Sequence, residues 1–350
     1  MRLLPLLLLL LTGCGQGQAP APPRELNLYI WSEYLDPQIP ADFTAKTGVK
    51  VNLSLYESSE EMLAKLQHAG GTSQYDLAVV SNMLVPTLVH LKLVQALDHS
   101  RIPNRQHLDA LFLDPAYDPG NRHSLAYQWG TVGLLYNQSK LPDLEPSWGV
   151  LFDPSKVRGS FVLIDEMRDQ LGAALRFLGH SANSTDLDEL RRAGQLVLGA
   201  KQNARSRGFE GGVGGKNKVA AGLADLAVVW SGDALRAIEE DPKGELAYLV
   251  PREGSIVWAD AMVIPAQAPN PGAAHQFINY LLDAQVGAQL SRYTRYASPN
   301  KAARALLPKE DLENPVLYPS PEILARLEYQ REVGEAVRLY DEVWTEVKSR

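Results

Sequence analysis

The feature that most constrains the fold is a regular alternation of strand patterns and helix patterns, which begins at Leu26. Strand segments are apolar at every second position or throughout a short run, and helix segments repeat apolar residues every three or four positions. Strands of this kind form a largely parallel sheet covered by helices on both faces, so we predict an α/β fold. The predicted strands lie at residues 26–30, 49–56, 75–80, 160–164, 223–230 and 257–264. The predicted helices lie at residues 40–46, 62–68, 171–178 and 273–293, with one more from Val85 and a mostly helical tail over 321–348.

The length and charge of the chain limit the classes of protein to which it can belong. A single hydrophobic core stops growing at about 250–300 residues, so a chain of 350 residues favours two packed lobes. The sequence has 41 acidic and 34 basic residues, a formal net charge of −7. This balance argues against a nucleic-acid partner and weakly favours cationic partners. The single cysteine, Cys14, excludes an intramolecular disulfide and a cysteine-based zinc site.

The N-terminal residues have the pattern of a secretion signal. A basic start is followed by an apolar run over residues 3–11, too short for a membrane-spanning helix of about 20 residues but suited to a signal peptide. The run ends in Leu-Thr-Gly-Cys at residues 11–14, which resembles the bacterial lipobox. Attachment to the periplasmic or extracytoplasmic face of a membrane follows. We therefore expect a signal peptide at 1–13, a lipid on Cys14 and a flexible tether at 14–24.

The segment at residues 205–218 is rich in glycine and in basic side chains. Gly215 and Lys216 resemble the end of a phosphate-binding loop, but Glu210 stands where that motif needs glycine, and Asn217 where it needs serine or threonine. We therefore predict a mobile surface loop. Its basic side chains, expected to face solvent, are Arg205, Arg207, Lys216 and Lys218.

The motifs of several enzyme classes are missing from the sequence. The seven histidines are scattered and never spaced as a metal-binding i, i+4 pair, no Gly-x-Ser-x-Gly motif occurs, and the only cysteine lies in the lipobox-like segment. A pair of carboxylates that act as acid and base has no fixed spacing. An extracytoplasmic enzyme based on carboxylates therefore remains an alternative.

Aromatic and acidic residues occur together where predicted strands end. Ligands of open α/β sheets bind outside the carboxyl ends of the strands, where distant loops converge. Carboxylates accept charge-assisted hydrogen bonds from ammonium groups, and aromatic faces add about 0.5–2 kcal/mol of cation–π attraction. The pattern predicts a cleft for a flexible organic cation. The four clusters are residues 31–34, 165–169, 230–233 and 258–260.

These clusters and other segments resemble the spermidine/putrescine-binding proteins, the receptors of polyamine ABC importers. The resemblance extends from Leu26 to Ser349 and is most specific at residues 28–34, 75–81, 127–130, 258–260 and 298–300. It implies a two-lobed, periplasmic-binding-protein-like fold of type II topology with the ligand cleft between the lobes. The implied lobes are residues 25–132 with 260–304, and residues 133–259 with 305–350.

The resemblance also implies a function and partners. The protein would capture spermidine or putrescine, without catalysis, metal or cofactor, and would deliver the polyamine to an ABC permease and its ATPase. It would act as a monomer held to the membrane by the lipid on Cys14. A role in sensing rather than transport stays open, because sequence does not separate the two.

Individual site residues follow from the same resemblance. The tryptophans would form aromatic walls, and the tyrosines would add hydroxyl groups or further faces. Most of the acids would each meet an amine, with Asp260 deepest in the cleft. The implied ligand-binding residues are Trp31, Ser32, Glu33, Tyr34, Ser81, Glu166, Asp169, Trp230, Asp233, Trp258, Asp260, Tyr296 and Gln330.

Two departures from the family pattern leave the ligand open. Met83 stands where many spermidine-binding members have an aromatic residue, which would make that wall looser. The basic segment 205–218 replaces a polar stretch, and its charges would oppose a polycation if they faced the cleft. The same fold could therefore bind another organic cation or small amine.

Overall fold

The computed structural model describes residues 24–68 and 74–350. The expected signal peptide, Cys14 and nearly all of the expected tether lie outside the described residues. Within the described ranges, no helix combines the length and the apolar character that crossing a membrane requires.

Ten strands lie in the described part of the chain and form one continuous arrangement. Their order is β2-β1-β3-β9-β4-β7-β5-β6, with β10 beside β9 and β8 beside β4. The strands are β1 (Glu25–Trp31), β2 (Lys50–Tyr56), β3 (Leu77–Ser81), β4 (Ser124–Asn137), β5 (Phe161–Ile164), β6 (Ser206–Glu210), β7 (Leu226–Trp230), β8 (Leu246–Leu249), β9 (Ser255–Val263) and β10 (Leu327–Tyr329).

Helices cover this sheet and fill the connections between its strands. Short 3₁₀ turns occur as well, mainly between Asn82 and Asn121. The α-helices of the described residues are α1 (Gln38–Thr47), α2 (Ser59–Gln67), α3 (Val85–His90), α4 (Gly149–Phe152), α5 (Met167–Phe177), α6 (Leu187–Gln202), α7 (Gly214–Ala220), α8 (Ser231–Glu240), α9 (Pro271–Leu281), α10 (Ala284–Thr294), α11 (Lys301–Arg304), α12 (Lys309–Leu312), α13 (Pro321–Leu324) and α14 (Val337–Ser349).

Local side-chain chemistry sets several helix ends. The Ser58 side chain accepts a hydrogen bond from the backbone N–H of Glu61 at the start of α2, and Asp186 accepts from two N–H groups at the start of α6. Both residues satisfy donors that have no partner within their helix. Helix α1 ends at Gly48, whose φ of 71° lies in the left-handed region that glycine adopts without strain.

The sheet is parallel on its two flanks and antiparallel in its middle. Strand β1 pairs in parallel with β2 and β3, and β5 pairs in parallel with β6 and β7. Strands β4 and β9 instead pair antiparallel with each other and with β7 and β3, respectively. The prediction of a largely parallel sheet is therefore wrong for the middle strands, which cross between the two halves of the molecule.

Strand β4 changes its partner along its length, and this change creates the two lobes. Its first part, from Ser124 to Thr131, pairs with β9, and its second part, from Val132 to Tyr136, pairs with β7. Each half of the sheet thus carries its own helices around its own buried residues. The α/β class and the two-lobed fold are confirmed.

Two sequence predictions in the C-terminal part are wrong. The predicted helix over 273–293 is divided into α9 and α10, because Asp283 has extended backbone angles and its side chain caps α10 by accepting from the N–H groups of Gln285 and Val286. The tail over 321–348 contains helices α13 and α14, but between them β10 pairs in parallel with β9.

The basic segment 205–218 is not a loop. It contains strand β6, which pairs with β5, and most of helix α7. Lys216 is buried, with 5% of its surface exposed. The expectation that Lys216 faces solvent is therefore wrong, whereas Arg207 and Arg205 are exposed on the surface as predicted.

Candidate ligand-binding site

Side chains from several strand ends meet in one cavity between the two halves of the sheet. Trp31 lies at the end of β1, Ser81 at the end of β3 and Trp230 at the end of β7. Asp260 lies inside β9, opposite Ser81. The space between the lining side chains, including its opening to solvent, is about 520 Å³.

Aromatic rings line the cavity and contact one another edge to face. The ring centroids of Trp31 and Trp230 lie 5.4 Å apart, those of Trp230 and Trp258 6.4 Å, and those of Trp258 and Tyr296 5.2 Å. Tyr34 contacts Tyr296, with centroids 5.2 Å apart. Such pairs stabilise one another by about 0.5–1.5 kcal/mol beyond the burial of their area. The walls of the cavity are therefore held in place before any ligand binds.

Asp169, in the first turn of α5, is held by two neutral donors. Trp230 donates from Nε1 to Oδ2 of Asp169 at 2.7 Å, and Gln330 donates from Nε2 to Oδ1 at 3.1 Å. Burial raises the pKa of Asp169 to about 6, and the two donors oppose that rise. Neutral donors orient the carboxylate and leave its negative charge without a counter-ion.

Glu166, which precedes α5, is more deeply desolvated. Its Oε2 accepts from the backbone N–H of Ser59 at 3.2 Å, and its Oε1 is buried without a hydrogen-bond partner in the described structure. Burial raises the pKa of Glu166 well above its usual range, and the charges of Glu60 and Asp169 add to the rise. An unpartnered buried carboxylate oxygen costs free energy unless a donor arrives to fill the site.

Asp260 and Asp233 complete the acidic lining. Burial raises the pKa of Asp260 to about 7, against the effect of the Tyr34 hydroxyl. Burial also raises the pKa of Asp233 to about 6, while the charge of Lys216 and a hydrogen bond from Tyr296 act in the opposite direction. Both carboxylates are therefore desolvated before a ligand enters.

Glu33 does not line the cavity. Its Oε2 lies 2.7 Å from Nζ of Lys216 and 3.2 Å from Nη1 of Arg236. Every other ligand-binding residue implied by the resemblance lines the cavity. The carboxylate of Glu33 is thus already paired with cations of the protein.

Several residues of the site were not identified from the sequence. Ser59, Gly212 and Val213 also line the cavity. Gly232 has no side chain because a Cβ atom there would lie 2.5 Å from the Tyr296 ring, and a Cβ on Gly130 would lie 2.9 Å from the Trp258 ring. Gly130 belongs to a segment that carries the family resemblance, which was the one available signal. The other positions depend on packing between distant segments.

The chemistry of the cavity suits a cation with apolar segments. Among the described residues, no lysine, arginine or histidine forms an ion pair with the carboxylates of Glu166, Asp169 or Asp260. The described residues also contain no group of three or more His, Cys, Asp or Glu side chains placed to hold a metal ion. Carboxylates oriented by neutral donors and flanked by indole faces can bind ammonium groups and the methylene chain that joins them.

The two-lobed fold with a ligand-sized cavity between its halves defines a solute-binding protein. The family model of the bacterial extracellular solute-binding proteins matches residues 38–319. The chain belongs to this family.

Relatives with known names support the same class. The spermidine/putrescine-binding periplasmic protein of Escherichia coli K12 is 34% identical over 326 residues, which cover 93% of this chain and 91% of that protein. The structure of the spermidine/putrescine ABC transporter substrate-binding protein of Streptococcus pneumoniae is 30% identical, covers 93% of this chain and 99% of its own, and superposes with a TM-score of 0.75. The TpPotD lipoprotein of Treponema pallidum is 28% identical, covers 93% and 100%, and has a TM-score of 0.82.

Proposed function

We propose that this protein binds a polyamine, spermidine or putrescine, outside the cytoplasm and delivers it to the permease and ATPase of an ABC importer. One observation carries the proposal. The buried carboxylates of Glu166, Asp169 and Asp260 lack a cationic partner within the described protein and lie beside the indole rings of Trp31, Trp230 and Trp258. The names of the relatives described above support the same ligand class.

The geometry explains how a polyamine would be recognised. Desolvated carboxylates without counter-ions destabilise the empty site, and ammonium groups of the ligand supply the missing charge. The methylene segments between these groups lie against the indole faces, which add dispersion and cation–π attraction. A neutral sugar would leave the carboxylates unpaired, and an anion would be repelled.

Calorimetric titration of the mature protein with spermidine and putrescine tests this function. Asp260→Asn should weaken binding about 100-fold or more, because it leaves a buried ammonium group without its charge partner. Asp165→Asn is the matched control, since Asp165 lies near the cavity but pairs with Lys348 at 2.7 Å and does not line it. The absence of heat with both amines at millimolar concentration would exclude polyamine binding.

A second candidate ligand is another organic cation or small amine. Met83 favours it, because this flexible side chain is buried and its Sδ lies 3.7 Å from Nη1 of Arg168, so that a wall of the site is not fixed by an aromatic ring. Competition of several amines in a thermal-shift assay distinguishes the two candidates, since a ligand that binds the folded state raises the melting temperature.

We further propose the membrane attachment that the N-terminal residues indicate. The signal peptide at 1–13 is removed, and the lipid on Cys14 holds the protein through the tether at 14–24. The description of the Treponema pallidum relative as a lipoprotein supports this proposal. Expression of Cys14→Ser should release the protein from the membrane fraction, whereas unchanged sedimentation with membranes would contradict it.

The division of the chain into lobes is a proposal as well. The crossings after residues 132 and 259 agree with the change of partner along β4 and β9. Leu307 packs against Ala288 and Ala303, and the Tyr318 hydroxyl accepts from the N–H of Ser298 at 3.3 Å. We therefore place residues 305–318 with the first lobe and the third crossing after them. We propose that the protein is a monomer.

A further inference from the structure

Lys216 places an ammonium group of the protein itself beside the candidate ligand-binding site. It lies on α7, and its side chain is 6% exposed. Its Nζ lies 2.7 Å from Oε2 of Glu33, and its charge lowers the pKa of Asp233, a residue that lines the cavity. Lysine is almost never buried without a partner, so Lys216 and these two acids form one electrostatic unit.

The two ends of the site differ in charge balance. At the end near α7, the acids Glu33 and Asp233 are accompanied by the cations Lys216 and Arg236. At the opposite end, Glu166 and Asp169 form no ion pair with a described residue. Arg168 is adjacent in sequence, but its Nη2 donates to Asn183 and to the Arg331 carbonyl. The uncompensated negative charge is therefore concentrated away from α7.

Lys218, on the same helix, shows that this placement is specific to one lysine. Lys218 pairs with Glu210, its side chain is 31% exposed, and neither residue lines the cavity. Lys216 and Lys218 therefore share helix, charge and pairing with a carboxylate. They differ in burial and in proximity to the ligand site.

We propose that the Lys216 ammonium group takes the place of one ligand ammonium group, so that the site binds diamines in preference to triamines. This inference rests on the proposed function. A third ligand ammonium would have to displace Lys216 from Glu33 or lie beside it, and like charges at close range in a desolvated site repel strongly. A diamine needs only the carboxylates Glu166, Asp169 and Asp260, where no protein cation competes.

The ion pair has a second effect that the test must separate from selectivity. Glu33 follows β1 and Lys216 follows β6, so their contact also joins the two halves of the molecule. A contribution to closure alone would change the affinities for all amines by the same factor. The ratio of the dissociation constants for spermidine and putrescine is therefore the appropriate quantity, since a common factor cancels.

The experiment measures both dissociation constants by calorimetry for the wild type, Lys216→Met and the control Lys218→Met. The wild type should bind putrescine more tightly than spermidine. Lys216→Met removes the charge at similar length and should raise the relative affinity for spermidine about tenfold, because the Glu33 carboxylate becomes available. Lys218→Met should leave the ratio within about twofold.

A double variant and a conservative variant complete the test. Adding Glu33→Gln to Lys216→Met should return the ratio to the wild-type value, since the gained carboxylate is lost again. If Lys216→Met does not fold, Lys216→Gln removes the charge while its amide still donates to Glu33. An unchanged ratio in the variant that folds, or a wild type that prefers spermidine, would overturn the inference while polyamine binding itself stands. A wild type that binds neither amine would overturn the proposed function and the inference with it.

Discussion

At the scale of single residues, the cavity holds carboxylates that the protein orients but does not neutralise. Asp169 receives hydrogen bonds from an indole and an amide, and one oxygen of Glu166 receives none. Replacing either acid with an apolar residue would stabilise the free protein, because a buried charge without a partner is costly. The site thus gives up stability in the empty state, and a cationic ligand restores it on binding.

The affinity for polyamines should depend on pH in a defined direction. The pKa values of Asp169 and Asp233 are raised to about 6 and that of Asp260 to about 7. Because the ligand cation requires the ionised carboxylates, affinity should rise from pH 5 to pH 8 and fall by up to about tenfold per pH unit for each acid protonated in the free protein. Calorimetry over this range, in buffers of different ionisation enthalpy, measures the affinity and the protons released. Constant affinity from pH 5 to pH 8 would contradict the prediction.

The same pKa shift predicts an effect on stability. An acid whose pKa is raised on folding binds more protons in the folded state, so its contribution to stability falls as pH rises from its unfolded pKa, about 3.9, through the folded value. Asp260→Asn should therefore raise the free energy of unfolding of the ligand-free protein at pH 8 by on the order of 2 kcal/mol. The gain over wild type should shrink towards pH 4. Thermal denaturation at both pH values measures it, and equal stabilities at pH 8 would refute it.

Trp230 and Trp258 allow a matched test of the hydrogen bond to Asp169. Trp230 donates to Asp169 from Nε1, whereas Nε1 of Trp258 has no partner in the described structure. Both substitutions to phenylalanine remove similar aromatic area. Trp230→Phe should weaken polyamine binding about tenfold more than Trp258→Phe at pH 7, because the pKa of Asp169 rises further when a donor to the charged form is lost. Titration calorimetry measures the difference, and equal losses would show that the indole acts only as a wall.

Most individual site residues could be predicted from the sequence, and the exceptions share one physical cause. Trp31, Trp230 and Asp260 lie at strand positions that converge whatever the details of packing. Glu33 was assigned to the ligand because the sequence does not reveal that Lys216 is buried beside it. That burial depends on how α7 packs against β7, which is a long-range property of the fold.

At the scale of elements, the segment between β6 and α7 forms part of the contact between the two halves of the molecule. The backbone N–H of Gly212 donates to the carbonyl of Glu57, beyond the end of β2, at 3.1 Å. Gly212 has a φ of +47°, and a Cβ atom there would lie 1.7 Å from Oε2 of Glu57. The close approach of these two segments therefore requires glycine.

Gly212→Ala should weaken polyamine binding about tenfold, because the added methyl group prevents the segments from closing fully. Gly208→Ala is the control, since Gly208 also has a positive φ, +79°, but no atom within 4 Å of the position of its Cβ. Both variants carry backbone strain, and only the first carries the steric conflict. Equal affinities of the two variants would show that the Gly212 contact does not limit binding.

Elements with a strong local pattern were predicted well, and those set by distant partners were not. Strands β1 and β7 carry their own apolar pattern. The short strand β10 exists because it pairs with β9, and the sequence around residue 328 contains no comparable signal. The break between α9 and α10 depends on a single cap at Asp283, which an otherwise continuous helical pattern concealed.

At the scale of the whole molecule, the structure is a closed form held by contacts between its halves. The Ser59 N–H donates to Glu166, and the Asn82 side chain donates to the Gln330 carbonyl at 3.1 Å. The acid Glu60 lies close enough to Glu166 for its charge to raise the pKa of the latter, in addition to burial. Like charges on facing segments oppose closure, and a bound cation removes that opposition.

The molecule should therefore close when it binds a polyamine. Small-angle X-ray scattering should give a smaller radius of gyration with saturating putrescine than without it, as expected for hinge closure. Asp260→Asn at the same ligand concentration should keep the larger value. An identical radius of gyration for the wild type in both conditions would show that the ligand enters an already closed molecule.

The position of β9 between β3 and β4 also governs when the chain can fold. Leu77 and its neighbours in β3 can complete their hydrogen bonds only after residues 260–263 are present. The first sheet thus waits for most of the chain, and pairing across such long sequence separations slows folding. A polypeptide that must pass through a membrane as an extended chain gains from this delay, because it acquires its native shape only after nearly all of it has crossed.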